Sequence, residues 1–429
     1  MKNLFYRIAR WEYAGLGVLA LITAASHFSV IMQPGNVMFD EVYYVEDARR
    51  ILQGAGTMRP EHPPLGKLFV TLGIFLFGDN PLGWRILSVL FGTLAIVLFY
   101  LICRRLAMSR QASFLAAFLL SFENLSFVQA GVAMLDVFYL TLMLGAFWLY
   151  LKGRCFGSGI MLGLSSLTKL TGVLAAPVVF LHWMFVTRKG KGILILLVSS
   201  AAAFFILMPL FDFIILHKVA NPFSQLKTML SLSSQVTITK FPAATYTRPW
   251  EWVLLPMYLP YWWTPRYLGM ISPTLWALIV PAMVYAVFRA VKRDSAAIFA
   301  LAWFAGTYLI WIPASIITDR TSYVYYFYPT VGAVCIALGL GLSRLIDVSK
   351  TRQPGKIKRL AKWIVPAFLL LHLVAFVILA PSPWWVKVPL SLAAYAYVLY
   401  YLRHDENELP VVAVVDTPVS KIDGPVSGG

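Results

Sequence analysis

Charged residues and cysteine are both scarce in this sequence, and their scarcity disfavours several classes of protein. Asp, Glu, Lys and Arg make up only 13% of the 429 residues, and the three cysteines are Cys103, Cys155 and Cys335. An odd number of cysteines in basic or apolar surroundings argues against a disulfide framework, and no spacing of Cys and His is typical of a zinc site. The sequence also has no nucleotide-binding loop and no nucleophile elbow. A nucleotide ligand therefore has no obvious site.

Apolar residues, by contrast, are abundant. They make up 59% of the chain, and the mean hydropathy is +0.74. This composition is typical of an all-α polytopic membrane protein. The net charge of +17 is carried by short Lys and Arg clusters between apolar runs, which indicates cytoplasmic loops and disfavours a nucleic-acid partner.

The basic clusters also determine which apolar runs cross the membrane. An even number of spans must lie between successive cytoplasmic clusters. The run 68–77 is too short to span, because a crossing needs about 20 residues. We therefore expect it to form an interfacial helix, with another at 42–52, inside one external loop over 34–82. The expected spans, about twelve with both termini cytoplasmic, are 13–32, 84–103, two within 111–151, two within 157–187, 192–216, 270–288, 296–316, 325–342, 363–380 and 386–402.

Three regions follow from this arrangement. Residues 1–345 are expected to form one membrane domain, with a second external loop over 217–265. Residues 346–402 combine a basic cytoplasmic linker with two C-terminal spans. The polar residues 403–429 are expected to form a disordered cytoplasmic tail.

Asp40 and Glu41 form an adjacent acidic pair just beyond the first apolar run. Repulsion between neighbouring carboxylates, together with partial burial, can produce a base that accepts a proton from a hydroxyl group. The alternative is structural, because acidic residues at the start of a helix also stabilise its macrodipole. One carboxylate could serve each purpose.

Three external cations are candidates for holding a phosphate. Lys67 follows two prolines that prevent an earlier helix start; it could bind a phosphate as a point charge or anchor the helix at headgroup level. Arg85 opens the span 84–103 on its outer side, where it could bind a lipid phosphate or pair with an external carboxylate. Arg320 lies in a short external turn beside Tyr323 and could contact a phosphate or a sugar.

Other polar residues lie within or beside the predicted spans. Asp136 stands in an otherwise apolar segment, and an ionisable residue there is costly and often functional. Its structural alternative is an ion pair with Lys169, which is expected near the outer turn of the hairpin 157–187. Glu123 and Gln129 lie in the outer turn of the hairpin 111–151.

These motifs together resemble the protein O-mannosyltransferases, membrane glycosyltransferases of the GT-C type that use dolichyl-phosphate mannose. The resemblance covers about residues 1–345, and the segments that carry it are 39–41, 62–67, Arg85, 122–129 with 134–136, and 163–172. It implies a GT-C fold in which residues 1–345 are the catalytic domain, loop 34–82 is catalytic and loop 217–265 lies on the substrate or acceptor side. Within it, Asp40 is the base and Glu41 and Asp136 position acceptor or sugar. The donor phosphate and sugar would be held by His62, Lys67, Arg85, Asp136 and Arg320, with weaker assignments for Glu123, Gln129, Lys169 and Tyr323.

The resemblance implies an enzyme that transfers a sugar, mannose, from a polyprenyl (dolichyl) phosphate to Ser or Thr hydroxyls of proteins, with inversion at the anomeric carbon. An alternative acceptor is a lipid or glycan, as in the aminoarabinose transferases; His62 favours the protein acceptor, because those enzymes typically carry a lysine-type variant of its motif. A secondary transporter is a more remote alternative, because the charges gather at the external rim. No segment resembles the lumenal MIR domain of eukaryotic members, so we expect a prokaryotic cell-membrane protein with an external active site. No cofactor or metal site is predicted, a carboxylate-bound divalent cation stays open, and the oligomeric state is not predicted.

Overall fold

The computed structural model describes residues 13–187, 190–240, 245–350 and 356–404, and these are mostly helical. Short 3₁₀ turns cover Leu170–Leu174 and Val324–Thr330, and single π-helical turns cover Trp183–Thr187 and Ala305–Leu309. The helices and the antiparallel strand pair are α1 (Ala14–Phe28), α2 (Glu41–Leu52), α3 (Pro64–Phe77), α4 (Pro81–Arg105), α5 (Arg110–Ser121), α6 (Asn124–Ala130), α7 (Leu135–Leu151), α8 (Cys155–Thr168), α9 (Ala175–His182), α10 (Gly192–Leu216), α11 (Pro222–Gln235), α12 (Glu251–Leu254), β1 (Leu259–Trp262), β2 (Tyr267–Gly269), α13 (Pro273–Trp276), α14 (Ile279–Val291), α15 (Ser295–Phe304), α16 (Trp311–Thr318), α17 (Val331–Lys350), α18 (Lys356–Leu379) and α19 (Trp384–His404).

The chain is an all-α, multi-pass membrane protein, as its composition predicts. In the described ranges, five helical stretches are long and apolar enough to cross a membrane: Pro81–Arg105, Gly192–Leu216, Ser295–Thr318, Val324–Lys350 and Arg359–Leu379. A sixth is added if α5 and α6, which meet at a bend of 63°, count as one broken span. Shorter apolar helices, α1, α3, α7, α8 and α14 among them, accompany these. The predicted total of about twelve is not established by this inventory, although the helices lie where the spans were expected.

The first external loop contains the two short helices that the sequence predicts. The second of them, α3, begins at Pro64, four residues before the predicted run, because a proline in the first helical turn loses no hydrogen bond there. Its 14 residues extend only about 21 Å, less than the hydrocarbon thickness. Gly73 of α3 lies against α4 so closely that a Cβ would come within 2.3 Å of the Gly83 carbonyl oxygen. This contact holds the loop directly on the span that follows it.

The centre of the fold is an aromatic core between α5, α7, α15 and α17. Trp303 of α15 is 1% exposed, and its indole N–H donates to the Pro329 carbonyl at 2.7 Å. Phe147 of α7 packs edge-on against Trp303 at 5.2 Å between ring centroids. Edge-to-face packing of this kind stabilises a core beyond its buried area. The polar residues that concern function lie at one end of this core.

The second external loop, predicted over 217–265, contains α11, α12 and β1, and β2 follows it directly. A short backbone pairing ties it to the turn after α16. The Ile238 N–H donates to the Asp319 carbonyl at 2.9 Å, and the Thr321 N–H donates to the Val236 carbonyl at 3.2 Å. Arg320 lies between these two bonds and is held there by the pairing.

Some expectations fall on residues outside this description. The basic N-terminal segment 1–11 lies wholly outside the described ranges. Residues 405–429 of the predicted tail also lie outside them. The division of the chain into a catalytic region and a C-terminal region stays a prediction.

Candidate active site

A cavity of about 450 Å³ opens between the first external loop, the start of the 3₁₀ turn after α8, and the turn after α16. Five residues that the sequence predicts as site residues line it together: Asp40, His62, Lys169, Arg320 and Tyr323. They come from distant parts of the chain. Their convergence on one cavity makes it the candidate active site.

Asp40 and Glu41 are adjacent in sequence, but their side chains lie in different environments. Asp40 precedes α2 and its side chain makes no capping hydrogen bond, so it is free to face the cavity. Burial raises the pKa of the Asp40 carboxyl from 3.8 to about 6, although the Lys169 ammonium opposes the shift. A carboxylate with this pKa is ionised at neutral pH yet basic enough to accept a proton in a reaction.

Glu41 is fully buried and ion-paired with Arg85. The Arg85 Nε–H donates to Glu41 Oε1 at 2.8 Å, and Nη2 donates to Oε2 at 2.9 Å. Glu41 also accepts the backbone N–H groups of Met38 and Ala133, at 3.0 and 2.9 Å. Its carboxylate therefore clamps the start of α2 to α4 and to the segment before α7, and it does not line the cavity.

Arg85 has no donor left for a phosphate in this structure. Besides its two bonds to Glu41, it donates to three backbone carbonyls of the segment that leads into α2, and its side chain is 0% exposed. These five bonds use the whole guanidinium. The structural alternative from the sequence, pairing with an external carboxylate, is the arrangement observed, and it leaves no guanidinium N–H for the predicted phosphate contact.

Lys67 is likewise used internally and does not line the cavity. Its ammonium donates to Thr57 Oγ1 at 2.7 Å and to the Arg59 carbonyl, and it lies 3.5 Å from Asp47 Oδ2. Its side chain is 1% exposed. Lys67 therefore fixes the segment that leads to His62, and neither the predicted phosphate contact nor an anchor at headgroup level matches its environment.

Asp136 and Lys169 form the ion pair that was the structural alternative for Asp136. The Lys169 ammonium donates to both carboxylate oxygens of Asp136, at 2.8 and 2.9 Å. It also lies over the rings of Tyr325 and Tyr326, at 5.6 and 5.4 Å from their centroids. These contacts fix the Lys169 charge at the cavity wall. Asp136 itself is buried behind it.

Arg320 is the cation with the most freedom at the site. Among the described residues, its guanidinium has no hydrogen-bond or ion-pair partner. The neighbouring Asp319 carboxylate is already engaged by Arg248 and Thr239. The five donors of Arg320 are therefore free to bind an anionic group in the cavity.

Glu123 and Gln129 lie away from the cavity and are fully buried. Glu123 caps α6, because its carboxylate accepts the backbone N–H groups of Leu125 and Ser126 at 3.1 and 2.6 Å. Gln129 donates to the Tyr261 hydroxyl at 2.8 Å, and the Tyr261 ring stacks on Phe39 at 4.3 Å. Both are placed to shape the fold around the site, and neither contacts the cavity.

Sequence reasoning missed three tyrosines of the cavity wall, Tyr44, Tyr325 and Tyr326. Tyr44 follows Asp40 by one helical turn, so the i to i+4 spacing was a usable signal. Tyr325 forms a hydrogen bond with Asp40 that helps to lower the carboxyl pKa. Aromatic residues at the outer edge of a span are also typical of an interfacial belt, so the sequence held no separate signal for Tyr325. Within the described ranges, no three His, Cys, Asp or Glu side chains are grouped so as to hold a metal ion.

Comparisons with known proteins match parts of this chain to glycosyltransferases. A family model described as dolichyl-phosphate-mannose-protein mannosyltransferase matches residues 61–212. The polyprenol-phosphate-mannose–protein mannosyltransferase of Corynebacterium glutamicum is 32% identical over 158 residues, which are 34% of this chain and 30% of that protein. An undecaprenyl phosphate-α-4-amino-4-deoxy-L-arabinose arabinosyl transferase of Pseudomonas fluorescens is 28% identical over 324 residues, 69% of this chain and 51% of that protein. The chain thus spans about a third to a half of these relatives.

The fold matches a solved structure along most of its length. The protein O-mannosyltransferase Pmt1–Pmt2 complex of S. cerevisiae, solved with its sugar donor bound, has a chain that superimposes with a TM-score of 0.70. The match covers 85% of this chain and 89% of that one at 12% identity. The predicted GT-C-type fold and the resemblance to protein O-mannosyltransferases are confirmed.

Proposed function

We propose that this protein, a GT-C-type relative of the protein O-mannosyltransferases, transfers mannose from a polyprenyl phosphate to Ser or Thr hydroxyls of proteins at the external face of a cell membrane. The observation that carries the proposal is the cavity itself. The Asp40 carboxylate, whose pKa is raised, lines this cavity together with two cations, Lys169 and Arg320. A base and a phosphate site side by side are what transfer from a sugar phosphate requires.

The chemistry is a single displacement. Asp40 accepts the proton of the acceptor hydroxyl while the hydroxyl oxygen forms a bond to the anomeric carbon. The bond between that carbon and the phosphate oxygen breaks, and its electrons leave with the polyprenyl phosphate. Attack from the face opposite the phosphate inverts the anomeric centre.

Lys169 and Arg320 stabilise the charge that grows on the departing phosphate. Lys169 is fixed by Asp136 and by two tyrosine rings, so it needs little reorganisation during the reaction. Arg320 has free donors in a planar fork that suits phosphate oxygens. Fixed charges of this kind act most strongly where charge develops in the transition state.

A lipid or glycan acceptor is the second candidate. The arabinosyl transferase relative aligns with 69% of this chain, more than the mannosyltransferase relative does. In both cases the leaving group is a polyprenyl phosphate. The two candidates therefore differ in the sugar and in the acceptor.

A transfer assay tests the proposal and separates these candidates. Purified protein in detergent micelles would be given polyprenyl-phosphate [³H]mannose with either a Ser/Thr-rich peptide or a lipid A acceptor. We expect label in the peptide, linked to a hydroxyl side chain. Label only in the lipid acceptor would favour a lipid over a protein acceptor, and no release of mannose to any acceptor would contradict the proposed mannosyl transfer.

The raised pKa of Asp40 gives an expected pH dependence. The base must be ionised to act, so kcat/KM for the donor should fall about tenfold per pH unit below pH 6 and level off above it. The rate is measured from pH 4.5 to 8 in one buffer system of constant ionic strength. The residual activity of Asp40→Asn should lack this acid limb; the same limb in that variant would assign the titration to another group.

The free guanidinium of Arg320 gives a second expectation. Arg320→Ala should lower kcat/KM for the polyprenyl-phosphate donor by about 10- to 100-fold, the effect of losing a charge-assisted hydrogen bond. The KM for the peptide acceptor should change little. Arg266→Ala, which removes an exposed arginine between β1 and β2 that does not line the cavity, is the matched control. Equal effects of both variants would show that Arg320 acts only through general surface charge.

A further inference from the structure

Tyr44 and His62 form a hydrogen-bonded pair in the cavity wall that the proposed mechanism does not use. The Tyr44 hydroxyl oxygen lies 3.3 Å from His62 Nε2, and both residues line the cavity. Tyr44 lies one helical turn after Asp40, so it flanks the base on the same face of α2. His62 reaches the cavity from the segment before α3. Within the described ranges, neither side chain has another hydrogen-bond partner.

The pair is electrically neutral. Burial, together with the positive charges of Lys169 and Lys67, lowers the pKa of His62 well below its usual value of 6.5. A neutral imidazole has one N–H and one lone pair, and a tyrosine hydroxyl both donates and accepts. The bond between the two residues uses one donor and one acceptor. Whichever tautomer His62 adopts, the pair keeps one donor and one acceptor for a ligand.

We infer that the Tyr44–His62 pair recognises a ring hydroxyl of the donor sugar and selects a hydroxylated hexose over an amino sugar. This inference rests on the proposed function, which puts the donor in this cavity. The anomeric carbon must lie near Asp40 and the phosphate near the cations, so the sugar ring lies beside the pair. Because the pair is neutral, it does not attract the donor phosphate away from Lys169 and Arg320.

The match between the pair and a hydroxyl group is specific. A hydroxyl donates one hydrogen bond and accepts another, which satisfies both free positions of the pair. A protonated amino group only donates, and it would also meet the positive charges of Lys169 and Arg320. A site that hydrogen-bonds a substrate hydroxyl rejects an analogue without it strongly, because buried polar groups are then left unpaired.

Monodeoxy donors test this inference. The rates of wild type and Tyr44→Phe are compared on polyprenyl-phosphate mannose and on its four monodeoxymannose analogues. We expect wild type to use one analogue at least about tenfold less efficiently than mannose. Tyr44→Phe should use that analogue and mannose equally well, because the hydroxyl has lost its partner. His62→Leu should give the same result, which keeps the test valid if one variant is unstable.

Tyr43→Phe is the matched control, because Tyr43 is 44% exposed and does not line the cavity. It should keep the wild-type preference among the analogues. Identical preferences in wild type, Tyr44→Phe and His62→Leu would overturn the inference while leaving mannosyl transfer intact. A wild-type preference for the aminoarabinose donor over the mannose donor would overturn it as well. Absence of transfer from either donor would instead be the failure of the proposed function.

Discussion

Replacing Asp40 with Asn should lower kcat/KM for mannosyl transfer by about 10²- to 10⁴-fold, the range over which a positioned general base contributes. Asn keeps the size of the side chain but cannot accept the proton of the acceptor hydroxyl. Asp40 makes no capping bond and faces the cavity, so the variant should fold and insert normally. The rate is measured with radiolabelled donor and peptide acceptor on protein that elutes as a single species in detergent.

The control for this variant is Glu46→Gln, which removes another carboxylate of α2, half exposed and outside the cavity. It should leave the rate within about twofold of wild type. Turnover of Asp40→Asn close to that of wild type would remove Asp40 as the base. The remaining cavity carboxyl, Glu61, would then be the group to test.

The second large effect concerns stability. Arg85→Met should lower the free energy of unfolding by about 3–5 kcal/mol, because it leaves the Glu41 carboxylate buried without its counter-charge. Glu41→Gln combined with Arg85→Met should be less destabilised than Arg85→Met alone, since no uncompensated charge remains. Thermal and denaturant unfolding in detergent micelles, followed by circular dichroism, measure the difference.

An exposed ion pair of the same loop provides the comparison. The side chains of Arg49 and Asp79 are 36% and 44% exposed, and the bond between them is 2.8 Å long. Arg49→Met should cost at most about 1 kcal/mol, because exposed pairs are screened by water. If Arg85→Met were no more destabilising than Arg49→Met, the Glu41–Arg85 clamp would not be important for stability.

The sequence predicts the helices well and the roles of the site residues less well. Hydropathy and parity locate the spans and the short helices of the first external loop, and α10 occupies the expected range 192–216. Apolar runs carry this information locally. The strand pair was missed, because short segments rich in Pro and aromatic residues leave no clear periodicity. α11 was missed although its apolar residues Phe223, Leu226, Met229 and Leu230 stand at helical spacing.

The roles of the charged residues depend on partners far away in the chain. Asp40, His62 and Arg320 do face one cavity, as the motifs suggest. Lys67 and Arg85 carry the same motifs but are saturated by hydrogen bonds inside the protein. The sequence indicates that Arg85 lies near the membrane surface. It does not show that Arg85 is paired with a buried carboxylate, Glu41, 44 residues earlier in the chain.

The adjacency of Asp40 and Glu41 has a consequence for how rigid the two sides of the site are. Consecutive Cα atoms are 3.8 Å apart. The base therefore lies next to Glu41, whose side chain is bound to α4 and to the backbone before α7. Two cations lie on the other side of the cavity: Lys169 at a break between helices, and Arg320 in a turn. The position of the base is therefore fixed through Glu41, and that of Lys169 through Asp136. Adjustment to donors of different shape falls to the Arg320 side chain, whose guanidinium has no partner among the described residues.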